Sequence, residues 1–211
     1  MMKTIKFTLR VLPLFLLLAL FGTSSADAQT DNKISLSGTW QYNSSTGNSY
    51  AKDKSGWGAN LELGYKVVPA LELGVFMNWQ TNNKYIPRQT YINGTSATNM
   101  DQSRSLFQLP FGIQANYIFV QNSMVEPYIG LKFGPNYARY RTYSNIYLFE
   151  DHSWGVFLSP EIGVTVYPIK AAPMIGIKLA GYYSYSNNKY KEYNMDNINN
   201  LGFRVGIKLR F

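Results

Sequence analysis

His152 is the only histidine of the chain and the side chain best suited to act as a general base. It lies next to Ser153, and a serine activated by a histidine is a common nucleophile. Neighbouring residues on a strand point to opposite faces, so these two side chains cannot act together on one substrate. A catalytic pair would need a serine from elsewhere, and no motif marks one. We therefore expect His152 to be a solvated residue at a loop–strand junction.

Paired carboxylates are the second arrangement that could do chemistry, as general acid and base. Three glutamates share one face of alternating segments with glycines and with several cations. Charges enclosed in a narrow interior must pair, because desolvating them singly is costly. The predicted charge network consists of Glu62, Glu72, Glu161, Lys66, Lys132, Lys178, Arg204 and Lys208. One histidine and no cysteine leave too few ligands for a metal site, and we expect no metal and no cofactor.

Apolar residues recur with a period of two, which is the pattern of β-strands. In LGFRVGIKLRF, at 201–211, every second residue is apolar and each residue between is glycine or a cation. No segment beyond the N-terminus has helical periodicity over more than two turns. The alternation predicts eight strands, at 34–42, 57–67, 71–79, 107–119, 127–143, 153–168, 174–187 and 201–211.

The connections between these strands alternate in length. Short turns are predicted at 68–70, 121–126 and 169–173, and long loops rich in Asn, Ser, Thr and Tyr at 44–55, 82–104, 143–152 and 187–198. An up-and-down barrel places every second connection at the same end. Short turns at one end and long loops at the other are typical of a transmembrane barrel.

The composition of the two strand faces indicates which one is buried. The polar face is rich in Gly, Ser, Asn and Gln, and the narrow interior of an eight-stranded barrel requires small side chains. The other face is apolar in its middle and aromatic near its ends (Tyr65, Tyr117, Phe119; Trp79, Tyr137, Tyr183, Tyr185). An apolar band between aromatic girdles is the surface that lipid requires. The sequence thus predicts an all-β fold, an eight-stranded antiparallel up-and-down transmembrane β-barrel.

The first 28 residues have the features of a secretory signal peptide. Three cations precede an apolar run, and Ala26-Asp27-Ala28 forms a small-residue cleavage site. We therefore expect residues 1–28 to be removed and 29–211 to form the barrel. The whole chain has 20 lysines and arginines and 12 aspartates and glutamates. Removal of three cations and one acid leaves 17 basic and 11 acidic residues. Export makes anionic lipid, not nucleic acid, the natural counter-charge.

The alternating strands and the terminal Arg210-Phe211 resemble the small outer-membrane β-barrel superfamily of the OmpA transmembrane domain, OmpX and the OmpA-like barrels of Bacteroidetes. The resemblance implies a bacterial outer membrane, with periplasmic turns and extracellular loops. It also implies that the barrel-assembly machinery reads the aromatic last strand. The expected signal consists of Phe203, Val205, Ile207, Leu209 and Phe211.

We expect a non-enzymatic outer-membrane protein, structural or adhesive, or part of an envelope complex that acts through its extracellular loops. Tyrosine and arginine are common at recognition surfaces, and they crowd the long-loop end. The candidates are Tyr85, Arg88, Tyr91, Arg139, Tyr140, Arg141 and Tyr143. The same residues would suit a belt that faces lipopolysaccharide phosphates. Expected partners are outer-membrane lipid and lipopolysaccharide, the assembly machinery and an unknown protein or surface ligand.

Two alternatives remain open at this stage. The first is a narrow OmpW-like channel for small or hydrophobic solutes, which inward Phe76, Ile118 and Phe157 would suit and a charged lumen would not. The second is a lipid A-modifying enzyme, since barrels of this size with that activity use a Ser and a His near the outer leaflet. The nature of the lumen and the surroundings of His152 distinguish these alternatives.

Overall fold

A computed structural model describes residues 33–47, 50–93, 96–121, 123–144, 147–169 and 174–211. The side chains of residues 91–93, 96 and 98 lie outside this description. The predicted signal peptide, residues 1–28, also lies outside the described residues, and its removal stays a prediction.

Eight antiparallel strands in the described ranges form one closed barrel, each paired with its neighbours in the chain, and the last with the first. The strands are β1 Ile34–Ser45, β2 Gly58–Val68, β3 Leu71–Asn93, β4 Ser96–Ile118, β5 Val125–Ser144, β6 Tyr147–Val166, β7 Ile175–Ser186 and β8 Ile198–Arg210. One turn of 3₁₀ helix, Lys191–Tyr193, precedes β8. The described chain contains no helix long and apolar enough to span a membrane. The predicted fold is confirmed.

The polar face of each strand is inside and the apolar face is outside, as the composition of the faces predicts. In β1 the buried side chains are all polar (Ser35, Ser37, Thr39, Gln41, Asn43 and Ser45). In β8 the apolar Phe203, Val205 and Ile207 are exposed, while Arg204 and Lys208 are buried. A polar interior inside an apolar wall suits a barrel surrounded by lipid, and closure satisfies the strand backbone within the membrane.

Inward glycines leave room for long charged side chains. A Cβ atom built on Gly64 would lie 2.7 Å from Cδ of Glu72, and one built on Gly130 would lie 2.9 Å from Cγ of Glu161. Both distances are shorter than van der Waals contact. Glycine is thus required at these two positions by the glutamate side chains that occupy the same space.

The barrel wall has two very different heights. β1, β2, β7 and β8 have 11 to 13 residues, whereas β3 and β4 have 23 each and β5 and β6 have 20 each. About 9–11 residues are enough to cross the bilayer. At the long-loop end β3 to β6 therefore extend beyond the rim as a four-stranded sheet, which we call the raised wall (81–93, 96–107, 139–144 and 147–152).

The raised wall corrects the prediction of long loops at 82–104 and 143–152. Both segments are strand through most of their length, with connections of two residues at 94–95 and 145–146. Pro87 is accommodated where the β3–β4 register shifts between Ile86 and Gln89, since bulges tolerate proline. Above the membrane neither face needs to be apolar, so the alternating pattern on which the strand prediction depends is lost.

Candidate functional site

Two glutamates and three cations form the centre of the lumen. The Nζ atom of Lys132 lies 2.7 Å from Oε1 of Glu62 and 2.5 Å from Oε2 of Glu161. Lys178 pairs with Glu62 and lies 3.4 Å from Glu161. Arg204 pairs with Glu161, donates to Oε1 of Gln41 at 3.1 Å, and has its guanidinium 3.9 Å from the ring centroid of Tyr182. These charged groups are almost completely buried, and they fill the cross-section of the barrel.

The network continues toward the short-turn end. Lys208 donates to both oxygens of Glu72, at 2.9 and 2.7 Å. Arg210 forms a forked pair with Glu126, a geometry that strengthens an arginine–carboxylate bond. This pair was not predicted from the sequence, because Glu126 falls in the predicted turn at 121–126. Glu126 shares its parity with Lys132 on β5, and this signal would have placed it inside.

Seven of the eight residues predicted for the charge network lie in ion pairs inside the lumen. Lys66 is the exception, because it is half-buried and contacts no carboxylate of the described chain at ion-pair distance. It lies where the β2–β3 register shifts at the short-turn end. A lysine there can extend its ammonium group toward water.

Apolar and amide side chains fill the lumen around this network. The rings of Phe76 and Phe157, both buried, have centroids 5.9 Å apart. Ile118 is buried as well and lines a small cavity toward the short-turn end, together with Glu126, Lys178 and Lys208. A layer of amides follows, in which Nε2 of Gln41 donates to Asn78 and to Gln80 at 2.9 Å each. On the opposite side Asn136 donates to Asn188 at 2.8 Å.

A cluster of tyrosines closes the long-loop end of the lumen. Tyr140 stacks on Tyr190 with centroids 4.3 Å apart, and Tyr50 meets both rings edge-on. Tyr193 packs on the cluster and accepts the guanidinium of Arg104 over its ring at 4.6 Å. Burial raises the pKa of Tyr50 to about 12, although its hydrogen bond to Thr142 acts in the opposite direction. Tyr140 is 0% exposed, so its prediction as a loop recognition residue is wrong.

The outer face of the raised wall is built in horizontal rows by the strand register. The row Leu109, Tyr137 and Trp154 belongs to the aromatic girdle, and the row above it contains Phe107, Arg139 and His152. The next row contains Ser105, Arg141 and Glu150, with Nε of Arg141 donating to Glu150 at 2.7 Å. The highest complete row contains Tyr85, Ser103, Tyr143 and Leu148.

Apart from the buried Tyr140, the residues predicted for recognition lie on the raised wall. Tyr85 and Tyr143 are 61% and 44% exposed. Arg88 is exposed, Arg141 is held by its ion pair, and Arg139 is half-buried with its guanidinium 5.4 Å from the Phe107 ring centroid. The backbone of Tyr91 belongs to β3, but its side chain lies outside the described residues.

His152 and Ser153 point to opposite faces of β6, as the sequence predicts. The His152 ring lies beside Tyr137 on the outer face, with centroids 6.3 Å apart. The hydroxyl of Ser153 accepts from Asn188 at 3.2 Å on the inner face. Across the described residues, no three His, Cys, Asp or Glu side chains come together as metal ligands would.

The predicted assembly signal forms the outer face of β8. Phe203, Val205, Ile207 and Phe211 are exposed, and Leu209 is partly exposed. The last residue is tied to the first strand, because the backbone N–H of Phe211 donates to the carbonyl of Ile34 at 2.9 Å. Their recognition by the assembly machinery remains a prediction.

Comparison with known proteins gives one family match and several similar folds. The chain is similar in structure to Neisserial surface protein A, with 18% identity, a TM-score of 0.44 and coverage of 84% of this chain and 96% of that one. It is also similar to the outer membrane protein OprG of Pseudomonas aeruginosa, with 15% identity, a TM-score of 0.44 and coverage of 85% and 95%.

A third similar structure is the outer membrane protease OmpT of Escherichia coli, with 10% identity, a TM-score of 0.43 and coverage of 90% and 99%. No curated protein matches the chain. The model of the family described as "Outer membrane protein beta-barrel domain" matches residues 14–211. With its closed barrel, apolar exterior and polar lumen, this chain belongs to the outer membrane protein β-barrel domain family and is a protein of the bacterial outer membrane.

Proposed function

We propose that this protein is a non-enzymatic, non-conducting barrel that presents its raised wall as a recognition surface outside the cell. The wall is the observation that carries the proposal. β3 to β6 are far longer than a membrane crossing needs, and they are long on one side of the barrel only. A rigid sheet held above the bilayer is a suitable platform for contact with a large partner.

The highest row of the wall supplies the side chains for such a contact. Tyr85 and Tyr143 lie on either side of Ser103 in neighbouring strands, followed by Leu148, which is 51% exposed. The row lies three levels above the girdle, about 16 Å along the barrel axis at a typical rise and tilt. Tyrosines held by a sheet offer large contact area at low entropic cost, which favours recognition.

The state of the lumen supports a role without transport. The ion pairs, the Phe76–Phe157 contact, the amide layer and the tyrosine cluster together fill the interior. The narrow-channel alternative needs a continuous path, which would require several buried ion pairs to separate. A catalytic role has no support from His152, whose ring faces away from Ser153.

Site-specific photo-crosslinking in living cells tests this function. A photo-reactive amino acid is placed at Tyr85 or at Tyr143, and the adducts are identified by mass spectrometry. The matched control is Tyr183, a girdle residue of β7 with similar exposure, 41% against 44% for Tyr143. We expect one macromolecular adduct common to positions 85 and 143, and lipid adducts at 183.

The result that would overturn the proposal is the same set of adducts at all three positions. A variant with 143–148 replaced by Asn-Gly provides the second measurement. The new hairpin follows Thr142 and precedes Phe149, which are cross-strand partners on the same face as the pair Ser144 and Tyr147. Asn-Gly favours a two-residue hairpin turn. The variant should fold and lose the adduct at Tyr85. If it keeps the adduct, Tyr143 and Leu148 are not part of the contact surface and the proposed row is wrong.

A further inference from the structure

The boundary between the apolar band and the raised wall can be located on β5. Its outward side chains from Pro127 to Tyr137 span eleven residues. The ten steps between them cover about 26 Å along the barrel axis at a typical rise and tilt. The apolar band of such barrels is about 25 Å tall and ends at an aromatic girdle. Tyr137 and its cross-strand partner Trp154, which is 62% exposed, therefore mark the outer edge of the hydrocarbon region.

Arg139 and His152 are cross-strand partners in the first row beyond this girdle. Both side chains are on the outer face, about 5 Å above Tyr137 and Trp154. The phosphate groups of outer-leaflet lipid lie at this level, just outside the hydrocarbon. On the lipid-facing surface of β5 and β6, this is the lowest row with a basic side chain on both strands.

The guanidinium of Arg139 has no acidic partner in the described chain. Its Nε atom is buried and makes no hydrogen bond. Glu150, in the next row, pairs with Arg141, and Asp151 accepts from the backbone N–H of His152 at 2.8 Å. An arginine without an ion-pair partner favours a ligand that supplies anionic oxygen acceptors.

Neighbouring rings hold the site in shape. The Arg139 guanidinium lies against the face of Phe107, and the His152 ring lies beside Tyr137. The two donor groups are therefore fixed by apolar contacts and do not need carboxylates to orient them. An arginine in no ion pair of the described chain, opposite a histidine in the next strand, is suited to a phosphate, whose oxygens can accept from both side chains.

We propose that Arg139 and His152 form a binding site for a phosphate group of an outer-leaflet lipid, the phosphorylated glucosamine headgroup of lipid A. The acyl chains of that lipid would lie along the apolar band directly below, beside Tyr137 and Trp154. A free phosphate ion would use the same two donors but would gain nothing from the band. This inference depends on the position of the girdle and not on the recognition function proposed for the wall above it.

Native mass spectrometry of the purified barrel in detergent tests the site. The protein is incubated with bisphosphorylated lipid A, with lipid A freed of phosphate, with phosphatidylglycerol and with inorganic phosphate, and the bound molecules are counted. We expect bisphosphorylated lipid A to be retained at least tenfold more than the phosphate-free form. The variant Arg139→Gln should lose this preference, and His152→Ala should reduce it severalfold.

Arg141→Gln is the matched control, because Arg141 is the next outward arginine on β5 and is already paired with Glu150. It should retain lipid A like the wild type. Equal losses in Arg139→Gln and Arg141→Gln, or equal retention of both lipid A forms, would show a diffuse charge effect and overturn the proposal. Displacement of the lipid by millimolar inorganic phosphate would assign the site to free phosphate instead. Arg139→Lys, which keeps the charge without the fork, should bind at an intermediate level if the variants fold, as judged by their migration on unheated gels.

Discussion

Glu62 and Glu161 approach the same ammonium group from opposite walls of the barrel. Lys132 lies between them, 2.7 Å from one carboxylate and 2.5 Å from the other, and Lys178 also contacts both. The two acids belong to β2 and β6, which are not neighbours in the sheet. Their shared cations therefore connect strands that have no backbone contact with one another.

Glu161→Gln should destabilise the barrel more than Arg204→Gln. Loss of Glu161 leaves Arg204 without a carboxylate in the described lumen and leaves Lys132 and Lys178 to share Glu62. Breaking a buried pair in this way costs about 3–5 kcal/mol. Arg204→Gln is milder because Glu161 keeps Lys132. Urea unfolding in lipid vesicles measures both free energies, and an equal loss in the two variants would contradict the central role of Glu161.

Purified protein should give no sustained conductance in planar bilayers. The buried ion pairs and the Phe76–Phe157 contact leave no open path through the described lumen. Moving a buried charge out of its pair to make one would be costly. Single-channel recording provides the measurement, with a porin of known conductance as the control. Stable, ion-selective steps on the nanosiemens scale would favour the channel alternative.

Val205→Arg should prevent folding into lipid vesicles. Val205 lies near the middle of the outer face of β8, opposite Trp40 on one side and Leu179 on the other. A cation at the midplane of the lipid face costs about 2–4 kcal/mol. Ser184→Ala, a change inside the lumen on the neighbouring strand, is the control and should fold. Folding is followed by the migration shift on unheated gels, and normal folding of Val205→Arg would contradict the location of the lipid face.

Deletion of Phe211 should slow assembly in cells without affecting the finished barrel. The ring is 55% exposed and buries little apolar surface, so folding into vesicles without assembly factors should be nearly unchanged. If the aromatic end is the assembly signal, the yield in the outer membrane should fall severalfold. The two measurements are made in parallel on the same variant. A normal yield in cells would remove Phe211 from the signal.

His152→Ala should leave the number of acyl chains on lipid A unchanged. The imidazole lies beside Tyr137 on the outer face, whereas the hydroxyl of the adjacent Ser153 is on the inner face. Mass spectrometry of lipid A from cells that express the wild type or the variant makes the comparison. A change in acyl-chain number that follows the mutation would revive the enzyme alternative. Loss of the proposed lipid phosphate site would change the binding of lipid A but not its acylation.

The sequence by itself determined which face of each strand meets lipid. A period of two assigns every side chain to one of two faces, and only one face of β8 carries Arg204 and Lys208 between glycines. Lipid excludes unpaired charge, so the two faces cannot be exchanged. The same parity places Tyr140 with Lys132 inside the barrel, and attention to parity would have removed it from the loop candidates.

Tertiary structure alone decided the ion pairs and the raised wall. Which cations meet Glu161 depends on how far each strand is shifted against its neighbours when the barrel closes. This shift brings Lys132 of β5 and Arg204 of β8 to Glu161 of β6, and no pattern in the sequence predicts it. The strands of the raised wall could not be predicted from the sequence for another reason. Beyond the girdle the outer face of β3 to β6 no longer meets lipid, and the inner face packs in part on the tyrosine cluster. Strict apolar–polar alternation therefore ends, while the backbone hydrogen bonds that define the strands continue.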